Sequence, residues 1–286
     1  MSNTNKKIAI IVDSSSNLDP TTLKEKNINI IPLLISFEDR TEIEDTTSDI
    51  KKSNFYARVK NGEYTKTSQS SPGKLMSLWR KLLAEGNDEI IFIPIAKGLS
   101  GQYQNAYMLS QENEFKNRVH IIDTNGAATF NSTLAIKASE IVANGGNIND
   151  INKMVTQVKK NSLIYIIPED ISRLSKGGRA KSVVASLISL IRVKVIIKFG
   201  EISEKSGIAR TLNNAIESVI TKIKEFINNE NYILEILTSQ CDKKVTTIIN
   251  KIITNHPELK IKKAFLPNCF VSHAGVNSVG IIVVKQ

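Results

Sequence analysis

From Glu89 to Ala106 the chain reads Glu-Ile-Ile-Phe-Ile-Pro-Ile-Ala-Lys-Gly-Leu-Ser-Gly-Gln-Tyr-Gln-Asn-Ala, and no other stretch restricts the fold as much. A strand with one wet face would alternate apolar and polar residues, so the unbroken apolar run Ile90 to Ile95 predicts a strand covered on both faces. Gly98 and Gly101 then turn the chain into a segment with helical spacing. Ser100 falls at the mouth of that helix, where first-turn N–H groups lack intrahelical partners and the helix dipole presents about half a positive charge. A hydroxyl and free amides converging on one small volume suit an anion. Equally, Ser100 reads as an N-cap that serves only its own helix.

The same strand, turn, helix pattern recurs through the first 160 residues. Lys7 to Val12 is a strand that runs into Asp13-Ser14-Ser15-Ser16, followed by a helix over Pro20 to Lys26. Ile28 to Phe37 is a second strand interrupted by Pro32, and the acidic, Thr-rich segment Glu38 to Asp49 reads as an exposed loop. Thr67 and Ser68 precede a helix that opens with Ser71 as N-cap and Pro72 as first helical residue. Arg118 to Ile122 is a further strand ending in Asp123-Thr124, and helices over Thr133 to Ala143 and Ile148 to Lys160 follow. Such alternation predicts a mostly parallel sheet with helices on both faces, whose ligands bind at the carboxyl ends of the strands. Asp13 to Ser16, Ser100 and Asp123-Thr124 all lie just after strands, which gathers hydroxyls on one rim.

The second half reads differently. Strands at Ser162 to Ile167, Tyr232 to Thr238, Lys260 to Leu266 and Ile281 to Lys285, a hairpin of Val193 to Phe199 with Glu201 to Ser203, and amphipathic helices over Leu212 to Ile227 and Lys244 to Ile253 predict a mixed sheet. The expected fold class is α/β, an N-terminal parallel-sheet α/β sandwich (residues 1–160) plus a C-terminal α+β domain with a mixed sheet (residues 161–286). Val183 to Ile191 is almost wholly apolar and reads as a buried helix or the wall of a cavity.

At 286 residues and 41% hydrophobic composition, the chain can build a substantial core. A net charge of +10 invites a nucleic-acid reading, but only 6% of residues are aromatic and no RNA- or DNA-reading motif occurs. The basic excess is spread over the chain and concentrates only in Arg173 to Lys198. Lys6-Lys7 is followed by five apolar residues before Asp13, too few for a secretory apolar region, and charges interrupt Val183 to Phe199. A cytoplasmic protein without a membrane span is expected, one that leaves room for transient contact with a membrane surface. Cys241 and Cys269 show no metal-ligand spacing, which suits a reducing compartment.

Several chemistries lack their signatures. There is no phosphate loop of the form G-x-x-x-x-G-K-[ST], no G-x-G-x-x-G after a strand and no Cys/His metal cluster, so no cofactor or metal is implied. Gly98-Leu99-Ser100-Gly101 resembles a nucleophile elbow, except that Gln102 stands where a second glycine is required. A serine hydrolase acting on a small acyl ester, with Ser100 as nucleophile, His273 as base and Asp13 or Asp123 as orienter, is the enzymatic alternative. A binder of phosphorylated metabolites that uses the same rim is a third.

The ordered set Asp13-Ser14-Ser15, Thr67-Ser68-Gln69, Gly98-Leu99-Ser100-Gly101 with Tyr103-Gln104, Ile122-Asp123-Thr124, Leu174 through Lys176-Gly177-Gly178-Arg179, Arg210-Thr211 and His273-Ala274-Gly275 with Gly280 resembles the DegV family over nearly the whole chain. Members of that family are similar to the fatty-acid-binding subunits of bacterial fatty acid kinase. The resemblance implies a long-chain fatty acid buried between two domains, no chemistry by the subunit itself, and a separate ATP-dependent kinase subunit that converts the presented carboxylate into an acyl phosphate. It implies Thr67 and Ser100 as carboxylate hydrogen-bonders, with Ser68, Gly101 and His273 beside them. Val183, Leu187, Ile188 and Ile191 are the expected wall of the acyl tunnel. Arg210, Arg173 and Arg179 match basic positions that face the kinase or the phosphate.

Four places depart from the family pattern. Ser70 replaces a usual proline, Lys97 a usual serine, Val276-Asn277 a usual Pro-Gly, and Arg192 to Val195 the usual Asn-Ile-Lys-Pro. Asn277 is expected to keep its turn by tolerating a left-handed backbone.

Overall fold

The structure is a computed structural model and describes residues 6–178, 193–228 and 230–285. These divide into two compact units, one made of residues up to Leu34, Glu44–Thr46 and Thr67–Lys160, the other of Ile35–Ile43, Thr47–Lys66 and the described residues from Asn161 onward.

The first unit is built on β1 (Ile8–Asp13), β2 (Ile28–Ile31), β6 (Glu89–Ile93) and β7 (Val119–Ile121), in the order β2-β1-β6-β7. Every pairing is parallel. Side chains alternate across a strand, so both faces of β1 and β6 need cover, and every residue of both strands is buried. Ala9, Ile11, Ile90 and Phe92 share one core cluster with Leu75, Trp79 and Leu82 of α4 (Pro72–Ala84) and Ala106 of α5 (Gln102–Ser110). Trp79 is fully buried and meets Phe115 edge-on, with ring centroids 5.0 Å apart. α6 (Thr129–Ala143) packs on β1.

The second unit carries a six-stranded mixed sheet in the order β10-β9-β8-β13-β11-β12. Its strands are β8 (Ser162–Ile167), β9 (Lys194–Phe199), β10 (Glu204–Ala209), β11 (Tyr232–Thr238), β12 (Ile261–Phe265) and β13 (Val279–Lys285). Only β11 and β12 pair in parallel, and the other four contacts are antiparallel. On one face Tyr165, Ile236, Ile281 and Val283 form a core with Ile216, Val219, Ile220 and Ile223 of the helix Leu212–Ile227 and with Ile249 and Ile252 of the helix Lys243–Asn255. On the other, Ile166, Val195 and Ile197 meet Leu174 of α8 (Ile171–Lys176) and Ala274. A small three-stranded sheet has the order β4-β3-β5, with β3 at Leu34–Ser36, β4 at Glu42–Glu44 and β5 at Lys66–Ser68. The expected fold class, a parallel-sheet unit followed by a mixed-sheet unit, is the fold found.

Four local expectations are corrected. Glu38 to Asp49 is no open loop: it holds β4 and the start of α2 (Thr47–Lys52), and Asp45 is buried where it accepts a 2.8 Å bond from Ser14 Oγ. The strand read over Ile28 to Phe37 does break at Pro32 as expected, but its two parts, β2 and β3, belong to different sheets. α6 starts at Thr129, four residues before the expected Thr133, because polar Thr129, Asn131 and Ser132 hid the helical period. Ser71 holds the N-cap position of α4, yet its side chain makes no capping bond.

Candidate functional site

In the first unit the strand ends are tied together by buried polar side chains. Asp13 closes β1 with its carboxylate fully buried. Its Oδ1 accepts from Ser15 N at 3.0 Å and from Ser15 Oγ, and its Oδ2 accepts from Ile95 N at 2.7 Å. Burial pushes the carboxyl up to about 6, although those donors pull the other way. Thr124 donates to Asn131 Oδ1 at 2.8 Å, and Asn131 Nδ2 donates to Pro94 O at 2.9 Å. So Asp13 and Asn131 each bind the backbone at the carboxyl end of β6, where the Ser100 turn begins.

That turn is compact. The N–H groups of Leu99 and Ser100 both donate to Ala96 O, at 2.9 and 3.2 Å. Ser100, half-buried, accepts from Gln102 N at 3.2 Å through its Oγ, one residue ahead of the N-cap position expected of it. Accepting that bond leaves the hydroxyl proton of Ser100 to be donated elsewhere. Gly101 occupies the N-cap position of α5 with an ordinary backbone (φ −68°, ψ −5°).

Thr67 and Ser68 lie in β5, Thr67 half-buried and Ser68 exposed. The structure brings this segment to the Ser100 turn through Gln102, a residue that sequence reasoning passed over. Gln102 is fully buried: its Oε1 accepts from Ser70 N at 2.8 Å and its Nε2 donates to Ser70 Oγ at 2.9 Å. A side chain added at Gly101 would put its Cβ 3.4 Å from Gln69 Oε1. A polar residue in the first turn of a helix usually faces water, which is why its spacing gave no sign. Lys97, the cation beside this turn, pairs with Asp123 at 3.1 Å, and its N–H meets the same carboxylate at 3.5 Å. Tyr103, the second residue of α5, stacks on Tyr107 with centroids 6.2 Å apart, and burial raises its phenol. Hydroxyls at the start of α5 and on β5, with one locally neutralised cation, form a rim that can meet a carboxylate or phosphate oxygen without a metal. Among the described residues no group of three or more His, Cys, Asp or Glu is placed to hold a metal ion.

In the second unit His273 lies in the last turn of the helix Asn268–Ala274, an element the sequence did not announce, and it is buried. Gly177 packs against it so closely that a Cβ there would lie 2.7 Å from His273 Nδ1. The turn that follows is held by charge rather than by a left-handed asparagine. Asn277 keeps a negative φ, whereas Gly275 takes φ +95°. Asn277 Nδ2 donates to Glu169 Oε1 (2.7 Å) and Asp242 Oδ2 (2.9 Å), and its N–H donates to Glu169 Oε2 (3.0 Å). The role expected of Asn277 is therefore corrected: side-chain bonding, not backbone tolerance, keeps the turn.

Of the basic candidates, Arg173 donates through Nη1 to Glu63 O (3.1 Å) and through Nη2 to Val59 O (3.0 Å). Val59 O, in the last turn of α3 (Phe55–Lys60), also accepts from Gly62 N at 3.1 Å, and Glu63 lies in the turn beyond. Arg210 is exposed at the end of β10. Arg179, Val183, Leu187, Ile188 and Ile191 lie outside the described residues. A separate cavity of about 540 Å³ in the second unit is lined by Ile50, Lys51, Tyr56, Gln240, Phe265 and Asn268 among others, and by none of the expected site residues. No helix among the described residues is long and apolar enough to cross a membrane.

Comparisons with known proteins agree with this fold. The chain is 25% identical to the DegV domain-containing protein lin2658 of Listeria innocua, over 97% of this chain and 98% of that one. Its fold matches the crystal structure of DegV, a fatty acid binding protein from Bacillus subtilis, with a TM-score of 0.84 at 23% identity, covering 98% of this chain and 100% of that one. It also matches the fatty acid binding DegV family protein SAG1342 from Streptococcus agalactiae, with a TM-score of 0.85 at 22% identity, covering 98% and 99%. A family model described as "Uncharacterised protein, DegV family" matches residues 7–286, and the chain belongs to the DegV family.

Proposed function

We propose that this chain binds a long-chain fatty acid and holds its carboxylate at the Thr67–Ser68 strand end and the Ser100–Gly101 turn. In this reading it presents the carboxylate to a separate ATP-using kinase subunit for acyl phosphate formation and does no chemistry itself. One observation carries the head-group assignment: two hydroxyl-bearing segments are pinned side by side through Ser70 and Gln102 at the start of a helix, with Ser100 Oγ already accepting a backbone bond. Such a rim offers donors to an anion, each charge-assisted bond contributing roughly 1.5 to 3 kcal/mol. Fatty acid binding in the names of the Bacillus and Streptococcus proteins supports the choice of anion. A buried tail adds about 0.8 kcal/mol per methylene, so the chain supplies affinity and the rim supplies orientation.

The tunnel wall of Val183, Leu187, Ile188 and Ile191, the head-group role of His273, and the partner or phosphate contacts of Arg210, Arg173 and Arg179 rest on the sequence resemblance. A cytoplasmic location belongs to the same reading. The bonding of Asp13 to Ser15 and Ile95, and of Asp123 to Lys97, gives the hydrolase alternative no support.

Native mass spectrometry of gently purified protein is the test. The expected result is a co-purified fatty acid in the natural chain and its loss from the Thr67→Ala, Ser100→Ala double variant. Undiminished lipid in that variant would refute the head-group assignment. A covalent Ser100 adduct with a serine-directed phosphonate would favour the hydrolase instead. The kinase step is checked by adding ATP and a bacterial fatty acid kinase subunit to the loaded protein and trapping acyl phosphate with hydroxylamine.

A further inference from the structure

Ser70 and Gln102 stand 32 residues apart in sequence, with the whole of α4 and β6 between them, yet they share two hydrogen bonds. A single bond lets the partners pivot. Two bonds from one planar amide, one accepted and one donated, fix both the distance and the angle between the segments. The Ser70 N–H is a buried donor that has to be satisfied, and the amide oxygen of Gln102 satisfies it. On one side the clamp sits two residues from Ser68 and three from Thr67. On the other, the backbone N–H of Gln102 itself holds Ser100 Oγ at 3.2 Å.

We propose that Gln102 is a positioning residue: its side-chain amide, seated on Ser70, sets the spacing between the Thr67–Ser68 hydroxyls and the Ser100 hydroxyl, and so gives the site its preference for a free carboxylate over an uncharged head group. The inference rests on the carboxylate reading above. Hydrogen bonds to an anion lose most of their value when donors shift by much less than an ångström or turn away from it. Burial of an alkyl tail is indifferent to that shift. Loosening the clamp therefore removes head-group discrimination and spares tail affinity.

The test measures the affinity of the full chain, stripped of lipid, for palmitic acid and for methyl palmitate by calorimetry. Gln102→Leu keeps the bulk and removes both bonds. Its acid affinity is expected to fall about tenfold or more, the equivalent of losing one or two net hydrogen bonds. Its ester affinity should fall far less, within about twofold to threefold, since the neutral ester carbonyl accepts weaker hydrogen bonds than a carboxylate does. Ser70→Ala keeps the bond from Ser70 N–H and loses the other, and should shift the acid-to-ester ratio less, in the same direction. Parallel weakening of both ligands in Gln102→Leu would mean that the glutamine serves only the fold, and would overturn the proposal. Should Gln102→Leu fail to fold, Ser70→Ala decides, and an unchanged ratio in it is a refutation. A natural chain that does not distinguish acid from ester would refute the carboxylate reading itself, whereas a natural chain that does, with ratios unmoved by either variant, would refute the clamp alone.

Discussion

Ala128 in the first unit and Gly275 in the second both take a positive φ in a turn that precedes or follows an element of the candidate site, and they are held there in opposite ways. Ala128 (φ 55°, ψ −144°) occupies a region that only glycine enters without strain. Hydrogen bonds impose it: its N–H donates to Ser15 O at 2.8 Å, while Ala96 N donates to Gly126 O at 2.9 Å just upstream. Gly275 (φ +95°) bears no strain but no space either, since a Cβ there would lie 2.4 Å from Glu169 Oε2 and 3.0 Å from Glu169 Cβ. The first turn is fixed by backbone bonds that tolerate an awkward residue; the second is fixed by side-chain bonds from Asn277 that lock Glu169 into a contact tolerating only the smallest residue. The rim of the parallel sheet is thus a polar lattice, and the turn after His273 is a packed carboxylate.

Gly275→Ala should break the second turn with the largest effect. Positive φ and the clash with Glu169 act together, and Glu169 cannot swing aside without losing its bonds from Asn277. A loss of about 3 kcal/mol or more in denaturant unfolding is expected. A loss under about 1 kcal/mol would mean that Glu169 moves freely and that the contact does not set the turn.

The polar lattice is probed through Asp13. Its carboxyl, pushed up to about 6 by burial, is protonated in the folded chain at pH values where the unfolded chain has already released its proton. Between about pH 4 and pH 6 the folded state holds more protons, so this group's contribution to stability is fully present at the low end and is lost as pH rises through 6. A shift of roughly two units corresponds to about 3 kcal/mol. Denaturation of the natural chain and of Asp13→Asn across that window should show the difference between them shrinking by up to that amount. A constant difference would place the Asp13 carboxyl near its ordinary value, ionised across the window, with its hydrogen-bond donors offsetting burial in full.

Much of this was legible in advance, for reasons particular residues make plain. Ile90 to Ile93 announced a strand wet on neither face, and the parallel sheet follows from it; the period of Leu212, Ile216, Val219, Ile220 and Ile223 announced the helix under the mixed sheet. The turn at Ser100 was legible because Gly98 and Gly101 stand at a junction between an apolar run and a helical segment. Gln102, Asn131 and Asp45 were not. Each is a polar side chain whose value lies in a partner far along the chain, Ser70, Pro94 and Ser14 respectively, and burial against a distant partner leaves no local periodicity. The helix that carries His273 was hidden because its seven residues, Asn268 to Ala274, are too few for a 3.6-residue pattern to stand out.

A smaller effect is expected from Asn277→Ala. It removes two donated side-chain bonds, and the 2.8 Å bond that Asn277 Oδ1 accepts from Asp242 N, at a half-buried position. Asp242 also pairs with Lys60, which lowers its carboxyl, so part of the network survives. The loss should be about 1 to 2 kcal/mol. Asn277→Asp should be worse than Asn277→Ala, because it sets a third carboxylate against Glu169 and Asp242; the reverse order would show that these carboxylates do not depend on the amide for their neutral contact.

The smallest change should come from the mirror of the first substitution, Ala128→Gly. Relief of the backbone conformation favours the variant by about 1 to 3 kcal/mol. Against that stand the loss of one buried methyl, about 0.8 kcal/mol, and the extra freedom of the unfolded chain, about 0.4 to 1 kcal/mol. The terms largely offset one another, so the outcome should fall between a loss of about 1 kcal/mol and a gain of about 2 kcal/mol, centred near zero on the stabilising side. Because the hydrogen bonds from Ala128 N and Ala96 N involve backbone alone, the variant keeps them, and the turn should stay in place with the site's preference for acid over ester unaltered. A variant that is destabilised by more than about 2 kcal/mol would mean that the Ala128 methyl, not the hydrogen-bonded backbone, holds the start of α6 against the Ser14–Ser16 turn, and the contrast between a bonded and a packed turn would disappear.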